Sequence, residues 1–463
     1  MGRITKLVGV LLFGLLGSSF SYGDNLVDIL ELALKNDPTL RQAEANYRVN
    51  RENIFQSRSS LLPQVRTSGS STRETSGPTD SQYFPITDPI SGDIVQTLRV
   101  DDHSFSPGIN THNWQLGFTQ SVFNLANWYT FQSAKAGDKA AAVQLAAQEQ
   151  DLIMRVAAAY FDVLRAIDTL DTNIQEEEAS LRSLEQTSQR EEVGLVAITD
   201  VYDAQAAYDL AQNTTILQQN FLQSRYEALE AITGVAHPQV EVLREDFPIV
   251  NVDGSLNQWE DQADSNSLAI AQARFNLEAS NDTLHARKAD HLPTVDLQGG
   301  YGHFRSASIQ REGVSAGGGA FDNTRLSVTL TIPIYSGGAL SSRRRAAEYT
   351  VMAARESLEI TKRQLTQNVR DAYRRVNTDV LVIAQRQQSI TSAQSALDAT
   401  ELGAEVGTRN IVEVLLAREN LYRALRVYAD ARYNYVIDSL VLKQITGILT
   451  PDDIIALNDW LQE

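Results

Sequence analysis

The sequence predicts a mainly α-helical chain with a small β part, assembled from two copies of one structural unit. Three observations carry this. Short segments recur: Leu62-Pro63-Gln64-Val65 as Leu292-Pro293-Thr294-Val295, Glu192-Val193-Gly194-Leu195-Val196-Ala197-Ile198 as Glu405-Val406-Gly407-Thr408-Arg409-Asn410-Ile411, and Ile232-Thr233-Gly234 as Ile445-Thr446-Gly447. Two long stretches are nearly free of helix breakers. Just before each of them the apolar period falls from three or four to two. Duplicated units ordinarily pack about a pseudo-symmetry axis, so a site is expected between the copies.

Residues 1–23 read as a cleaved secretory signal. Arg3 and Lys6 form the charged start, Val8 to Leu16 is apolar, and Ser21-Tyr22-Gly23 offers small residues for cleavage. The apolar run falls short of the about 20 residues that a membrane span needs. The first repeat then runs over 24–240, the second over 241–447, and a short C-terminal segment over 448–463.

Within each repeat the helices come first. Short ones are expected at about Leu26 to Asn36 and Ser255 to Asp264. Asp37 caps and Pro38 opens a helix to about Leu61, with its copy from Ser267 to about Asp290. Strands follow each Leu-Pro, at Val65 to about Arg73 and Val295 to about Phe304. Stronger strands alternate apolar and polar residues: Trp114, Leu116, Phe118 and Val122 in the first copy, Leu326, Val328, Leu330, Ile332 and Ile334 in the second. They are expected over about 114–123 and 326–335. Aromatics near strand ends (Trp114, Phe123, Trp128, Tyr129, Tyr301, Tyr335) suit a membrane interface. The loops between paired strands, about Glu74 to His112 and Arg305 to Asn323, are polar and differ in length, as insertions in surface loops do. Gly317-Gly318-Gly319 sits in the second and reads as a flexible loop, since no strand and helix flank it as a phosphate cradle requires.

The breaker-poor stretches come next. No proline lies between Pro107 and Pro238 or between Pro333 and Pro451, and no glycine between Gly338 and Gly403. Proline costs a helix about 3 kcal/mol and glycine about 1. Ala339 to Leu402 as one helix would be about 96 Å long, and Ala126 to Glu192 is its twin. Ala158, Phe161, Leu164 and Ile167 mark an apolar stripe, so coiled-coil packing is expected. Each long helix turns at Val193-Gly194 or Val406-Gly407 and is answered by a return helix, Thr199 to Ile232 or Ile411 to Ile445. Thr450-Pro451 opens a last short helix.

Charge and composition exclude several functions. The formal net charge is −18, or −20 once Arg3 and Lys6 leave, which disfavours nucleic acid as a partner and suits a surface or cavity that concentrates cations. There is no cysteine, so neither disulfides nor thiol chemistry contribute. The six histidines show no metal-ligand spacing, Glu176-Glu177-Glu178 reads as a solvated helix face, and Tyr433 and Tyr435 read as packing residues. No catalytic residue and no cofactor are assigned.

Four strands per chain cannot close a barrel, and an open sheet edge cannot face lipid. Two chains would supply eight strands, with an interior filled by side chains; three would supply twelve, with room for a lumen. A homotrimer is the simplest conducting solution, although strand number alone leaves the dimer open.

From about Asp24 to its end the chain resembles the TolC family of outer-membrane efflux channels. The most specific segments are Val193-Gly194-Leu195-Val196-Ala197-Ile198-Thr199-Asp200-Val201, Val406-Gly407-Thr408-Arg409-Asn410-Ile411-Val412-Glu413-Val414 and Ala431-Arg432-Tyr433-Asn434-Tyr435. The resemblance implies a homotrimer: a twelve-stranded barrel in outer-membrane lipid, continuous with a long α-helical tunnel in the periplasm. It also implies an exit duct working with a periplasmic adaptor and a proton-driven or ATP-driven inner-membrane pump.

The resemblance also implies site residues. Asp200 and Arg409 match a gate latch, which on the residues alone read as a helix cap and a solvated turn residue. Glu413 matches an acidic ring at the constriction, and otherwise reads as an acid in a helix's first turn. A second ring position is Leu416 here, and a latch tyrosine is Ala404, which implies a looser or differently secured gate. The tips Gly194, Leu195, Val196, Gly407 and Thr408 match adaptor contacts. Two other readings compete: a structural or adhesive coiled-coil scaffold, against which the strands with aromatic edges argue, and a general diffusion porin, in which long helices have no role.

Overall fold

The computed structural model describes residues 24–74, 82–100, 109–307, 309–311, 314–316 and 319–462. The expected signal at 1–23, and Gly317 and Gly318 of the second loop, lie outside them. In chain order the elements are α1 (Leu26–Asn36), α2 (Pro38–Ser59), β1 (Gln64–Glu74), β2 (Gln82–Thr87), β3 (Ile94–Val100), β4 (Ile109–Phe123), α3 (Leu125–Glu192), α4 (Ile198–Thr233) and β5 (Val242–Leu243). The plan then repeats with α5 (Leu256–Asn266), α6 (Leu268–Ala289), β6 (Thr294–Ser306), β7 (Ile309–Arg311), β8 (Val314–Ala316), β9 (Ala320–Thr331), α7 (Ala339–Glu405) and α8 (Ile411–Thr446). It closes with α9 (Pro451–Asn458) and β10 (Leu461–Gln462). No described helix is long and apolar enough to cross a membrane.

The long helices α3 and α7 contain 68 and 67 residues, and the returns α4 and α8 contain 36 each. Their ends fall where the breakers fall. Gly234 and Gly447 cap α4 and α8 in the left-handed region, at φ 73° and 76°, where only glycine sits without strain. Two expectations need correction. The last strand starts at Ala320 and stops at Thr331, not Tyr335, because Pro333 has no N–H to give a ladder. The loops each contain a hairpin, β2–β3 and β7–β8.

The chain divides into two compact units. One takes in, of the described residues, those up to Ala45, Val143–Ala271 and those from Ile360 on. Its core centres on α3, where Leu152, Val156, Tyr160, Phe161 and Leu164 are fully buried together with Leu26 and Ile29 of α1, Leu229 of α4 and Leu442 of α8. Phe161 and Leu164 belong to the stripe read from the sequence. Buried tyrosines keep their hydroxyls satisfied: Tyr160 donates to the Glu241 carbonyl at 2.6 Å, Tyr433 to the Asp168 carboxylate at 2.6 Å and Tyr435 to the Val250 carbonyl at 2.8 Å. Burial pushes the Tyr433 phenol and the Asp168 carboxyl up. Asp37, 2% exposed, accepts from the Leu40 N–H at 2.7 Å and forms a two-point pair with Arg155 at 3.0 and 3.1 Å. Its burial alone would raise the carboxyl, but the Arg155 hydrogen bonds and the Leu40 N–H outweigh it and hold it low.

The other unit takes in Asn46–Ala142 and Gln272–Glu359. Its sheet is antiparallel throughout, in the order β1-β4-β6-β9, so each repeat gives one hairpin and the two hairpins meet at β4–β6. Its helical part is pinned by Ser133, whose hydroxyl donates to the Ala279 carbonyl at 2.9 Å, and by the Lys139–Glu278 pair at 3.1 Å.

Candidate functional site

Three features of the chain bear on function: the two hairpin tips, the polar ties of α8, and the two faces of the sheet.

At the first tip the chain leaves α3 through Gly194, at φ 74°. The Gly194 and Leu195 N–H groups return to the Glu191 and Arg190 carbonyls, each at 2.8 Å. Val193 and Leu195 are 69% and 68% exposed, so the turn holds itself by backbone bonds while presenting apolar side chains to solvent. Asp200 lies in the first turn of α4, where a carboxylate suits the helix dipole. The helix cap is Ala197, which offers no side-chain bond. Among the described residues Asp200 has no ion pair.

The second tip is more tightly tied. Gly407 has φ 78°. Thr408 and Arg409 donate their N–H groups to the Gly403 carbonyl at 2.8 and 3.1 Å, and the Thr408 hydroxyl does so at 3.0 Å. Asn410 caps α8 by accepting from the Glu413 N–H at 2.9 Å. The Arg409 stem folds over Gly403, where an added Cβ would lie 2.7 Å from Arg409 Cγ. Its guanidinium then meets Glu413, one helical turn on, at 2.5 Å. Within the chain, therefore, Arg409 is brought to Glu413 and not to Asp200. Ala404 packs with Leu397, Val414 and Leu421 in a small apolar cluster. Leu416 is exposed.

Sequence reasoning missed a row of polar ties between α8 and α3. Arg426 pairs with Glu176 at 2.7 Å and reaches Asn173 at 3.1 Å. Tyr422 donates to the Gln175 carbonyl at 3.1 Å. Arg418 donates to the Ala179 carbonyl and pairs with Glu401, both at 2.8 Å. Glu176 is thus a partly buried ion-pair member, not part of a solvated face. Its three-residue acidic run concealed this, because the arginine lies 250 residues on. The spacing of Arg418, Tyr422 and Arg426, four residues each, was the available signal.

In the sheet, antiparallel partners share a face. Val65, Leu116, Phe118, Leu326 and Val328 lie on one, with Val65 70% and Leu326 72% exposed. Phe118 lies over Gly299, where an added Cβ would come within 2.7 Å of its Cζ. Trp114 and Tyr301, their rings 5.5 Å apart, stand on the same face. The opposite face carries Arg66, Ser68, Gln115, Gln298, Asn323 and Arg325. An apolar face with aromatic residues and a polar face behind it is the pattern of a strand wall between lipid and water. The two outer strands, β1 and β9, have unpaired edges within the chain.

Comparison with known proteins agrees. The profile described as "Outer membrane efflux protein" matches residues 29–235 and 259–448, one stretch in each repeat. The outer membrane protein TolC of Vibrio cholerae serotype O1 is 34% identical over 99% of both chains. That of Escherichia coli strain K12 is 33% identical over 99% of this chain and 88% of its own. The proteases secretion protein PrtF of Dickeya chrysanthemi is 25% identical over 100% of this chain and 96% of its own. Among solved structures, the Campylobacter jejuni CmeC outer membrane channel superposes with a TM-score of 0.74 at 18% identity, covering 95% of this chain and 90% of that one. The Vibrio cholerae outer membrane protein VceC does so at 0.71 and 18%, covering 91% and 96%. These two show the fold. The chain belongs to the outer membrane efflux protein family, as an outer-membrane exit duct for efflux or secretion.

Proposed function

We propose that three copies of this chain close a twelve-stranded barrel and form a passive duct that receives cargo from a periplasmic adaptor and an inner-membrane pump. The observation that carries the reading is the four-stranded sheet with one apolar face and two free edges. Such a sheet cannot sit in lipid until other chains cover those edges. Twelve strands leave a lumen where eight would be filled by side chains. The turns at Gly194, Leu195, Val196, Gly407 and Thr408, with their exposed apolar neighbours, are the adaptor contacts. Their backbone bonding keeps them in shape when the partner is absent.

The gate lies on the α8 side of these tips. Glu413, one from each chain, forms an acidic ring that favours cations. Arg409 is the latch, and it has two carboxylates to choose between: Glu413 in its own helix and Asp200 of the first repeat's hairpin. Arg409 released to Glu413 lowers the ring's charge; Arg409 engaged with Asp200 restores it. The ties of Arg418, Tyr422 and Arg426 to α3 hold the second hairpin against the first, replacing the latch tyrosine that Ala404 does not supply.

Single-channel recording in a lipid bilayer tests this. Glu413→Ala should lower cation preference and weaken block by a trivalent cation. Arg409→Ser should raise leakage and strengthen that block, because Glu413 loses its internal counter-charge. Unchanged block in both variants would remove the ring and the latch from the account. A wild-type protein that inserts but carries no current would favour the scaffold reading instead.

A further inference from the structure

The polar face of the sheet carries a row that neither the acidic composition nor the gate explains. Arg66 on β1 pairs in register with Gly117 on β4, Gly117 with Gly300 on β6, and Gly300 with Arg325 on β9. The four residues form one line across all four strands. Two guanidiniums stand at its ends and two glycines leave its middle bare. At about 4.8 Å per strand the arginines are about 14 Å apart. The groove over this row has a volume of about 530 Å³ and is floored by both glycines, with Gln115 and Gln298 beside them.

Neither arginine has a carboxylate partner among the described residues, and both are exposed. Asp296, on the same face, lies four residues from Gly300 along β6, about 13 Å away. Asp322 points to the other face, where it meets His303 at 2.7 Å. In a chain with 58 acidic residues against 40 basic ones, an unpaired basic row on a polar β face is a local reversal of sign.

We propose that this row is a binding site for polyvalent anions, of the phosphate or multicarboxylate class, on the inner wall of the barrel. The inference rests on the trimeric barrel reading, which turns the polar face inward. Three chains then set six guanidiniums around the lumen. Arginine's planar fork suits phosphate and carboxylate oxygens. The glycines let a ligand reach the backbone between them, and the water-filled but walled site screens the charges less than open solvent does. The duct thus carries two filters of opposite sign: a cation-selecting ring at Glu413 and an anion-retaining belt in the strands.

The test is block of lipid-reconstituted channels by tripolyphosphate, applied to either side in turn. Wild type should be blocked by micromolar to millimolar tripolyphosphate, more readily from the barrel side. Arg66→Ser/Arg325→Ser should weaken the block by about tenfold or more, since hydrogen bonds from a guanidinium to an anion are among the strong ones. Arg66→Lys/Arg325→Lys keeps the charge and controls for folding; it should retain part of the block. Conducting wild-type channels that tripolyphosphate does not block, or block that is equal in the serine variant, would overturn the site while leaving the duct intact. Failure of the wild type to conduct at all would strike the duct reading first.

Discussion

Alanine at Gly447 should cost much more than alanine at Gly234, although both close the same repeated Ile-Thr-Gly. Both glycines cap a 36-residue helix in the left-handed region, which costs any other residue about 1–2 kcal/mol. That term is common to the two sites. The surroundings are not. At Gly234 an added methyl lies 3.7 Å from the Asn36 side chain, an ordinary contact. At Gly447 it meets main chain: 2.8 Å from the Asn266 carbonyl carbon, nearer still to its oxygen, and 3.2 Å from Ser267 Cα. That corner joins α5 to α6, and Ser267 is buried with its N–H bonded to the Ala263 carbonyl at 3.0 Å. It cannot swing aside as a side chain would. Overpacking of this kind adds about 1–3 kcal/mol. The expected losses are about 1–2 kcal/mol for Gly234→Ala and about 2–5 for Gly447→Ala. Thermal unfolding of the two variants in one detergent, at one scan rate, followed by far-ultraviolet circular dichroism, gives the comparison. Equal losses, or a milder Gly447→Ala, would refute the reasoning.

Arg155→Ala should destabilise the helical unit by about 3 kcal/mol or more, because Asp37 would remain buried without its partner; Asp37→Asn in the same background should recover part of the loss, and unfolding midpoints of the three variants check it. Asp379 on α7 is partly buried beside Asp438 on α8, which Arg375 pairs at 3.2 Å; burial first, then the like charge of Asp438, raise the Asp379 carboxyl to about 6. A folded-state pKa above the unfolded one means the folded protein binds the extra proton, so the α7–α8 contact should lose stability as pH rises from about 4 through 6. Asp379→Asn should flatten that dependence, with an effect of about 1 kcal/mol after allowing for its partial exposure, and a pH series of unfolding midpoints that keeps the wild-type slope would refute it. Gly299→Leu should weaken the sheet by displacing the Phe118 ring, and folding yield in micelles measures it.

Much of the fold was legible because breakers are punctuation. Pro38, Gly194, Gly234, Gly407, Gly447 and Pro451 mark element ends within one or two residues, since a proline cannot continue a helix and a left-handed cap selects glycine. The strand faces were legible because alternation in Leu326, Val328 and Leu330 is a local property. The hairpins β2–β3 and β7–β8 were not legible, since they lie in segments whose Gly, Ser, Pro and Asp content reads as loop. The Arg426–Glu176, Arg155–Asp37 and Asp379–Asp438 contacts join residues far apart in sequence, and nothing local announces them. Arg409 and Glu413 stand four residues apart, a spacing that allows their pairing, but the resemblance directed Arg409 to Asp200 instead. The row Arg66–Gly117–Gly300–Arg325 depends on three strand registers at once, which no pattern within one segment fixes.

The central claim is that the two free strand edges of one chain are closed by other copies of it. The chain contains no cysteine, so paired cysteines report only on the positions chosen. Within one chain β1 and β9 are separated by two strands, about 14 Å, beyond the about 7 Å that a disulfide can span. Ser68→Cys can be combined in turn with Ser327→Cys, Thr329→Cys or Thr331→Cys, and with neighbouring positions on the same face of β9, and oxidised in the native outer membrane. The account predicts that at least one register gives a covalent ring of three chains. Uncrosslinked chains at every register, or products that stop at two, would contradict it.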